Sequence, residues 1–228
     1  TVRADDLMRT YGAPNPPLTV SYTGFINGET LATSGVTGSP SVTTTAVTNS
    51  PIGAYPIVVG AGSLASSKYA FAFANGTLNV VAPGTLFVDG FTRSPDPGPL
   101  APWVVQAGSW SVTGGVLAGG TNMHHSYGFA YLTNTWADYS AQAQIKLSAG
   151  AFGGGLATRL NRATGARYAA WIYPEGSPGG SNVVRLLKFQ NWTEFTVMQQ
   201  ASLPAVGTNW HALKLVARGN RLAARYDG

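Results

Sequence analysis

Short turn signals set between runs of alternating apolar and polar residues constrain this 228-residue chain more than any other feature. Asn27-Gly28 in TGFINGETL, Asn75-Gly76 in FAFANGTLNVV, Gly114-Gly115 in WSVTGGVLAGG and Gly219-Asn220 in LKLVARGNRLAARYDG each separate two such runs. Asn and Gly reach the positive φ of a two-residue hairpin turn at least cost. Helical periodicity never persists, so the chain is expected to be all-β, with antiparallel strands joined by hairpins. An apolar share of 44% supplies enough side chains to bury cores and is not the composition of a disordered chain.

With no cysteine, disulfides, thiolate metal sites and thiol nucleophiles are excluded. No apolar run approaches the roughly 18 residues that span a bilayer, so no membrane insertion is expected of this chain. It opens at Thr1 inside a strand-like run, which suggests a piece of a longer protein. The net charge of +5 is uneven: residues 1–82 carry three basic and three acidic side chains, residues 83–228 eleven and six. The basic residues are scattered along strands instead of forming blocks, so nucleic acid is not an expected partner.

All six Trp residues follow VVAPGTL, and Pro83-Gly84 is the natural hinge. The expected domains are therefore 1–82 and 83–228. The first has about seven short β segments, suited to an immunoglobulin-like sandwich. Its segments RTYGAPNPPLTVSYTGFINGETLATSGVTGSP, SPIGAYPIVVGAG and YAFAFANGTLNV resemble the MBG domain, a mostly bacterial immunoglobulin-like module. Tyr11-Gly12, Pro16, Gly53-Ala54-Tyr55-Pro56, Tyr69 and Asn75-Gly76-Thr77-Leu78 carry the likeness. It implies a non-catalytic spacer in a large secreted or surface protein. Tyr11, Tyr55 and Tyr69 are expected to bury their rings while each hydroxyl reaches a backbone partner.

The second segment begins TLFVDGFTRSPDPGPLAPWVVQAGSWSVTGGVLAGG and continues through WADYSAQAQIKL, FGGGLATRLNRATGARYAAWIYP, NVVRLLKF and NWHALKLVARGNRLAARYDG. This order is similar to concanavalin A-like (laminin G-like) jelly rolls. Such folds continue past a strand like the last one here, so the jelly roll is expected to be truncated at its C-terminus. A neighbouring chain that completes the sheet by strand pairing is the corresponding structural alternative.

In ARYAAWIYP, alternation puts Arg167, Ala169, Trp171 and Tyr173 on one face and Tyr168, Ala170 and Ile172 on the other. A shallow sugar site needs flat aromatics and a few polar groups. Trp171, Tyr173, Arg159, Arg167 and Trp192 are the candidates for it, and His125 is the member of the His124-His125 pair given a ligand contact. Trp103, Trp110, Trp136 and Trp210 are expected in the core. In a strand His124 and His125 would point to opposite faces, and no HxH or HExxH spacing occurs, so a transition-metal site is not expected. Concanavalin A-like folds often hold a structural calcium, and Asp89 in FVDGF is the candidate ligand; no cofactor is required.

Glycoside hydrolysis usually needs two carboxyl groups about 5 to 10 Å apart. Asp89, Asp96, Asp138, Glu175, Glu194 and Asp227 are isolated in sequence, and no E-x-D-x-x-E run occurs. The expectation is a non-catalytic, adhesin-like part of a bacterial extracellular or cell-surface protein, a spacer followed by a lectin-like domain that binds carbohydrate or a cell-surface glycan. The alternatives are a stalk segment that self-associates through strands, and a glycoside-acting enzyme, for which Glu175 and Glu194 are the acids to test.

Overall fold

The computed structural model describes residues 1–93, 95–124 and 126–228, and among these it is all-β without a helix. The strands are β1 (Val2–Ala4), β2 (Leu7–Thr10), β3 (Val20–Tyr22), β4 (Ser41–Thr44), β5 (Gly53–Gly60), β6 (Phe73–Ala74), β7 (Gly76–Val81), β8 (Val104–Ala107) and β9 (Ser109–Thr113). They continue with β10 (Val116–Gly120), β11 (Phe129–Tyr131), β12 (Tyr139–Lys146), β13 (Gly154–Thr158), β14 (Arg167–Tyr173), β15 (Val183–Phe189), β16 (Phe195–Ser202), β17 (Trp210–Arg218) and β18 (Arg221–Tyr226). Cα packing divides the chain into Thr1–Thr133 and Asn134–Gly228. The change of composition at Pro83-Gly84 lies within the first of these units.

In the first unit β3-β1-β6 and β2-β7-β5-β4 form two sheets around Val2, Ala4, Ala46, Ile57, Val59 and Leu78. Ile57 and Leu78 are fully buried, each worth about 1.5–3 kcal/mol against exposure. The N-terminal segment serves both sheets. β1 pairs antiparallel with β3 and parallel with β6, and after two aspartates β2 pairs parallel with β7. Asp5 accepts hydrogen bonds from the Thr19 and Ser21 hydroxyls, and Asp6 from the Thr77 amide, so these aspartates fix the crossing point.

The hairpin expectations fare differently. Gly114 and Gly115 both have positive φ, 57° and 74°, and join β9 to β10 with Thr113 opposite Val116, the two-residue turn read from the sequence. Asn27 and Gly28 also have positive φ, but they lie in a segment without strands on either side. Asn75-Gly76 is not a hairpin turn: β6 joins the sheet of β1, whereas β7 lies between β2 and β5 in the other. Gly76 has a different use there, because a Cβ would come within 2.5 Å of the Ala4 carbonyl oxygen and 2.7 Å of that of Asp5. The glycine allows β7 to pass the point where the first strand changes sheets.

The tyrosines also divide. The Tyr55 hydroxyl donates to the Pro51 carbonyl as expected, while that of Tyr69 donates to Glu29 and accepts from the Ile26 amide. The Tyr11 ring is 52% exposed, contrary to expectation, since it stands just beyond β2 where the sheet has ended. The same strand buries Arg9, whose guanidinium reaches Asn15 and the Val47 and Thr48 carbonyls. Residues 95–124 and 129–131 add the pairs β10-β9 and β11-β8.

The second unit is a two-sheet sandwich, β12-β17-β18 over β13-β14-β15-β16. Ala170, Ile172, Leu186, Val206, Leu213 and Leu215 are buried between the sheets. Alternation on β14 and β17 produces this core directly: one side of each strand carries small or branched apolar residues and the other carries polar or mixed ones. β16 and β18 are edge strands, and all eight residues of β16 are exposed.

Candidate functional site

The expected aromatic and arginine face exists on the four-stranded sheet. With Ala170 and Ile172 turned into the core, Arg167, Ala169, Trp171 and Tyr173 share the opposite face, and β15 adds Phe189, Leu187 and Arg185 directly across from the first three. The face is not an open platform. Ala169 and Leu187 are buried, Tyr173 is 2% exposed and Arg167 is 4% exposed.

The individual side chains explain this. Arg167 donates from Nη1 to the Gly165 carbonyl at 2.7 Å and the Asn191 carbonyl at 3.3 Å, and from Nη2 to the Trp192 carbonyl at 3.3 Å. Its guanidinium lies 3.6 Å from the Phe189 ring centroid and 5.8 Å from that of Trp192. The cation thus fastens the loop before β14 to the loop after β15 and has little surface for a ligand. Tyr173 is held edge-on by Phe152 at 5.8 Å and covered by the Arg185 guanidinium at 4.9 Å. Burial raises the Tyr173 hydroxyl above its ordinary pKa despite the opposing effect of Arg185.

Arg159 follows β13 and reaches the Ala137 carbonyl and Asp138, at 3.2 and 3.1 Å, on the opposite sheet's approach to β12. Trp171 is half-buried, and its indole N–H is buried with no hydrogen-bond partner among the described residues. Gly153 lies against that nitrogen, so the glycine-rich run accommodates the Trp171 ring. His125 lies outside the described residues. The amide of its neighbour His124 donates to the Asn122 side chain.

The calcium role expected of Asp89 gives way to an ion pair. Arg93 binds both carboxylate oxygens, at 2.9 and 2.8 Å, the Phe91 amide adds a bond to Oδ1 at 2.7 Å, and the Trp103 indole adds one to Oδ2 at 2.9 Å. These donors occupy the lone pairs a cation would need, and the guanidinium would repel it. Burial acts to raise the Asp89 carboxyl, but Arg93, Phe91 and Trp103 outweigh it and hold its pKa below the ordinary value.

The acids of the second unit are likewise used as fasteners. Glu175, past the end of β14, accepts from the Gly207 amide at 2.9 Å, which lowers its pKa. Glu194, past the end of β15, accepts from Asn191 at 2.7 Å. Because β14 and β15 are antiparallel, these two acids lie at opposite ends of a seven-residue strand, roughly 20 Å long. The 5 to 10 Å spacing of a hydrolytic pair is therefore not met by the acids selected from the sequence.

His211 closes one end of the sandwich. Its Nδ1 is 2.7 Å from Asp227 Oδ2, its Nε2 is 2.8 Å from the Val206 carbonyl, and its ring stacks on Tyr226 at 5.0 Å. Two acceptors at these distances suit only the imidazolium, which donates from both nitrogens. Burial lowers the histidine pKa, but Asp227, the Val206 carbonyl and the charge of Glu175 together raise it above 6.5. The bond keeps Val206, 1% exposed, inserted in the core. Its contribution is present below pH 6.5 and is lost as pH rises through the higher folded value. Asp227, lowered from 3.8 chiefly by His211, adds stability that disappears on acidification. Melting temperature should therefore decline as pH rises above about 6.5, and His211→Gln should remove that decline and weaken the acid limb that Asp227 contributes.

Two surface features were not read from the sequence. Trp210 is 50% exposed instead of buried, because Leu213 and Leu215 fix the inward side of β17 and leave even-numbered positions outside. A cleft of about 600 Å³ lies beside the edge strands, lined by Leu186, Met198, Gln199 and Leu222 and by the β17-β18 hairpin. The inward phase of β17 was legible in LKL; the cleft depends on how two sheets diverge, which no local pattern encodes.

Residues 1–79 match the MBG domain (YGX type) family model. The MBG match thus spans both sheets of the first unit's N-terminal sandwich and the Tyr11-Gly12 pair. No curated protein matches the chain. Among solved structures, carbohydrate binding module CBM66 from Bacillus subtilis is similar at 22% identity and a TM-score of 0.46, covering 55% of this chain and 73% of that one.

Proposed function

We propose that the chain is a non-catalytic part of a large bacterial secreted or surface protein, in which the MBG segment is a spacer and the following β-structure is a lectin-like, concanavalin A-like unit that recognises a glycan. The observation that carries this reading is Trp171: a half-exposed indole on the β14 face, directly across from Arg185. A flat aromatic face of this kind can stack on the apolar face of a sugar ring, with neighbouring polar groups fixing its orientation. Trp192 and Arg159, both half-buried, flank the same sheet and are the other residues of the expected set with surface to offer. No cofactor enters this reading. A glycan array probed with the whole chain tests it, with loss of signal expected in Trp171→Phe, which replaces the indole stacking surface with a smaller ring. An array without hits contradicts it.

A second reading, self-association through strands, is favoured by β16. This edge strand is eight residues long, fully exposed and free of Lys, Arg and Pro, the residues that usually protect an edge. It predicts a concentration-dependent dimer that Val197→Lys abolishes; a monomer at all concentrations on sizing removes it.

A further inference from the structure

We propose that the outer face of the β12-β17-β18 sheet binds an anionic polysaccharide. This rests on the reading of the second unit as a glycan-recognition sandwich, but it uses the other sheet and specifies the charge of the ligand.

Residues 134–228 carry ten basic and four acidic side chains, a net of +6, whereas residues 1–133 carry four and five. Strand register gathers half of those ten on one surface. With Leu213 and Leu215 directed into the core, β17 turns Trp210, Ala212, Lys214, Val216 and Arg218 outward. Lys146 stands opposite Trp210, Arg225 opposite Lys214, and Arg221 opposite Arg218. Lys146, Arg218, Arg221 and Arg225 are exposed and Lys214 is half-buried. Among the described residues none of the five has an ion-pair partner. The flanking acids are already engaged, Asp138 with Arg159 and the Gly219 amide, and Asp227 with His211.

Like charges directly opposite each other on antiparallel strands destabilise a sheet. Two such pairs, Lys214 with Arg225 and Arg218 with Arg221, occur on this one face. A bound polyanion would relieve both repulsions, and nothing in the unit itself does so. The rows of long cationic side chains alternate with uncharged rows. Between the Lys214 and Arg218 rows lies a row of Ser140, Val216 and Ala223, and between Trp210 and Lys214 a row of Gln144 and Ala212. Successive cationic rows are four residues apart along β17, roughly 13 Å. These uncharged rows separate the cationic ones, with Ser140 offering a hydroxyl in one and Gln144 an amide in the other. The Trp210 ring, at the end of the series, offers a stacking surface for a sugar. Nucleic acid fits less well, because single-strand binding uses a succession of aromatic rings and this face has one.

The test is binding of the whole chain to polygalacturonate and to dextran sulfate, with xylan as neutral polysaccharide and single-stranded DNA as the competing polyanion. We expect both acidic polysaccharides to bind in preference to xylan and DNA, and affinity to fall by about tenfold or more between about 0.05 and 0.3 M NaCl. Lys214→Gln with Arg225→Gln, and Arg218→Gln with Arg221→Gln, should each reproduce most of that loss while melting no lower than the parent chain, since each removes a repulsive pair. Trp171→Phe should not alter it. Failure to bind either acidic polysaccharide, binding unaffected by the Gln variants, or tighter binding to DNA overturns the proposal. Binding confined to neutral glycans and lost in Trp171→Phe overturns it while leaving the glycan reading intact.

Discussion

Asp89→Ala is expected to destabilise the first unit by about 3–5 kcal/mol, because it leaves the Arg93 guanidinium buried without its counter-ion. The two side chains are 8% and 5% exposed, and the carboxylate also holds the Trp103 indole and the Phe91 amide. In denaturant melts followed by Trp fluorescence the loss should appear together with a changed Trp103 signal. Asp89→Leu combined with Arg93→Met should recover much of the stability, since apolar replacement of a whole buried pair is often neutral or better. The same pairing has an acid limb. The lowered Asp89 pKa contributes stability above about 3.8 that is lost as pH falls through the folded value, and the double variant should lack that limb. Addition or chelation of calcium should leave the melt of the parent chain unchanged.

Arg167→Ala should cost the second unit roughly 3 kcal/mol, the scale of one or two hydrogen bonds to a charged group. For a unit of this size that corresponds to a melting shift of roughly 12–24 °C. Arg167→Lys should recover only part of it, because an ammonium cannot reach the carbonyls of Gly165, Asn191 and Trp192 in one plane while stacked on Phe189. Glycan affinity per folded molecule should be unchanged. A large affinity loss with an unchanged melt would return Arg167 to the ligand site.

The all-β class and the face assignments were legible because both depend on a period of two, which survives translation into structure at β14 and β17 alike. Arg167, Ala169, Trp171 and Tyr173 do share a face, as alternation requires. Whether that face is open was not legible, since it depends on how Phe152, Arg185 of the paired strand and the Gly165 loop fold onto it, which alternation within one strand does not encode. Asn75-Gly76 was misread for a related reason. The dipeptide is compatible with a turn, but the strands on either side of it pair with partners some seventy residues earlier, in separate sheets. Basic residues look dispersed in sequence at 214, 218, 221 and 225, and only the hairpin register places Arg225 beside Lys214.

The central claim, recognition without catalysis, is tested most directly by measuring retention of the whole chain on immobilised polysaccharides while assaying the same mixtures for released reducing ends. The account predicts retention with no release, in the parent chain and equally in Glu175→Gln and Glu194→Gln. Reducing ends that accumulate with time and vanish in either amide variant would contradict it.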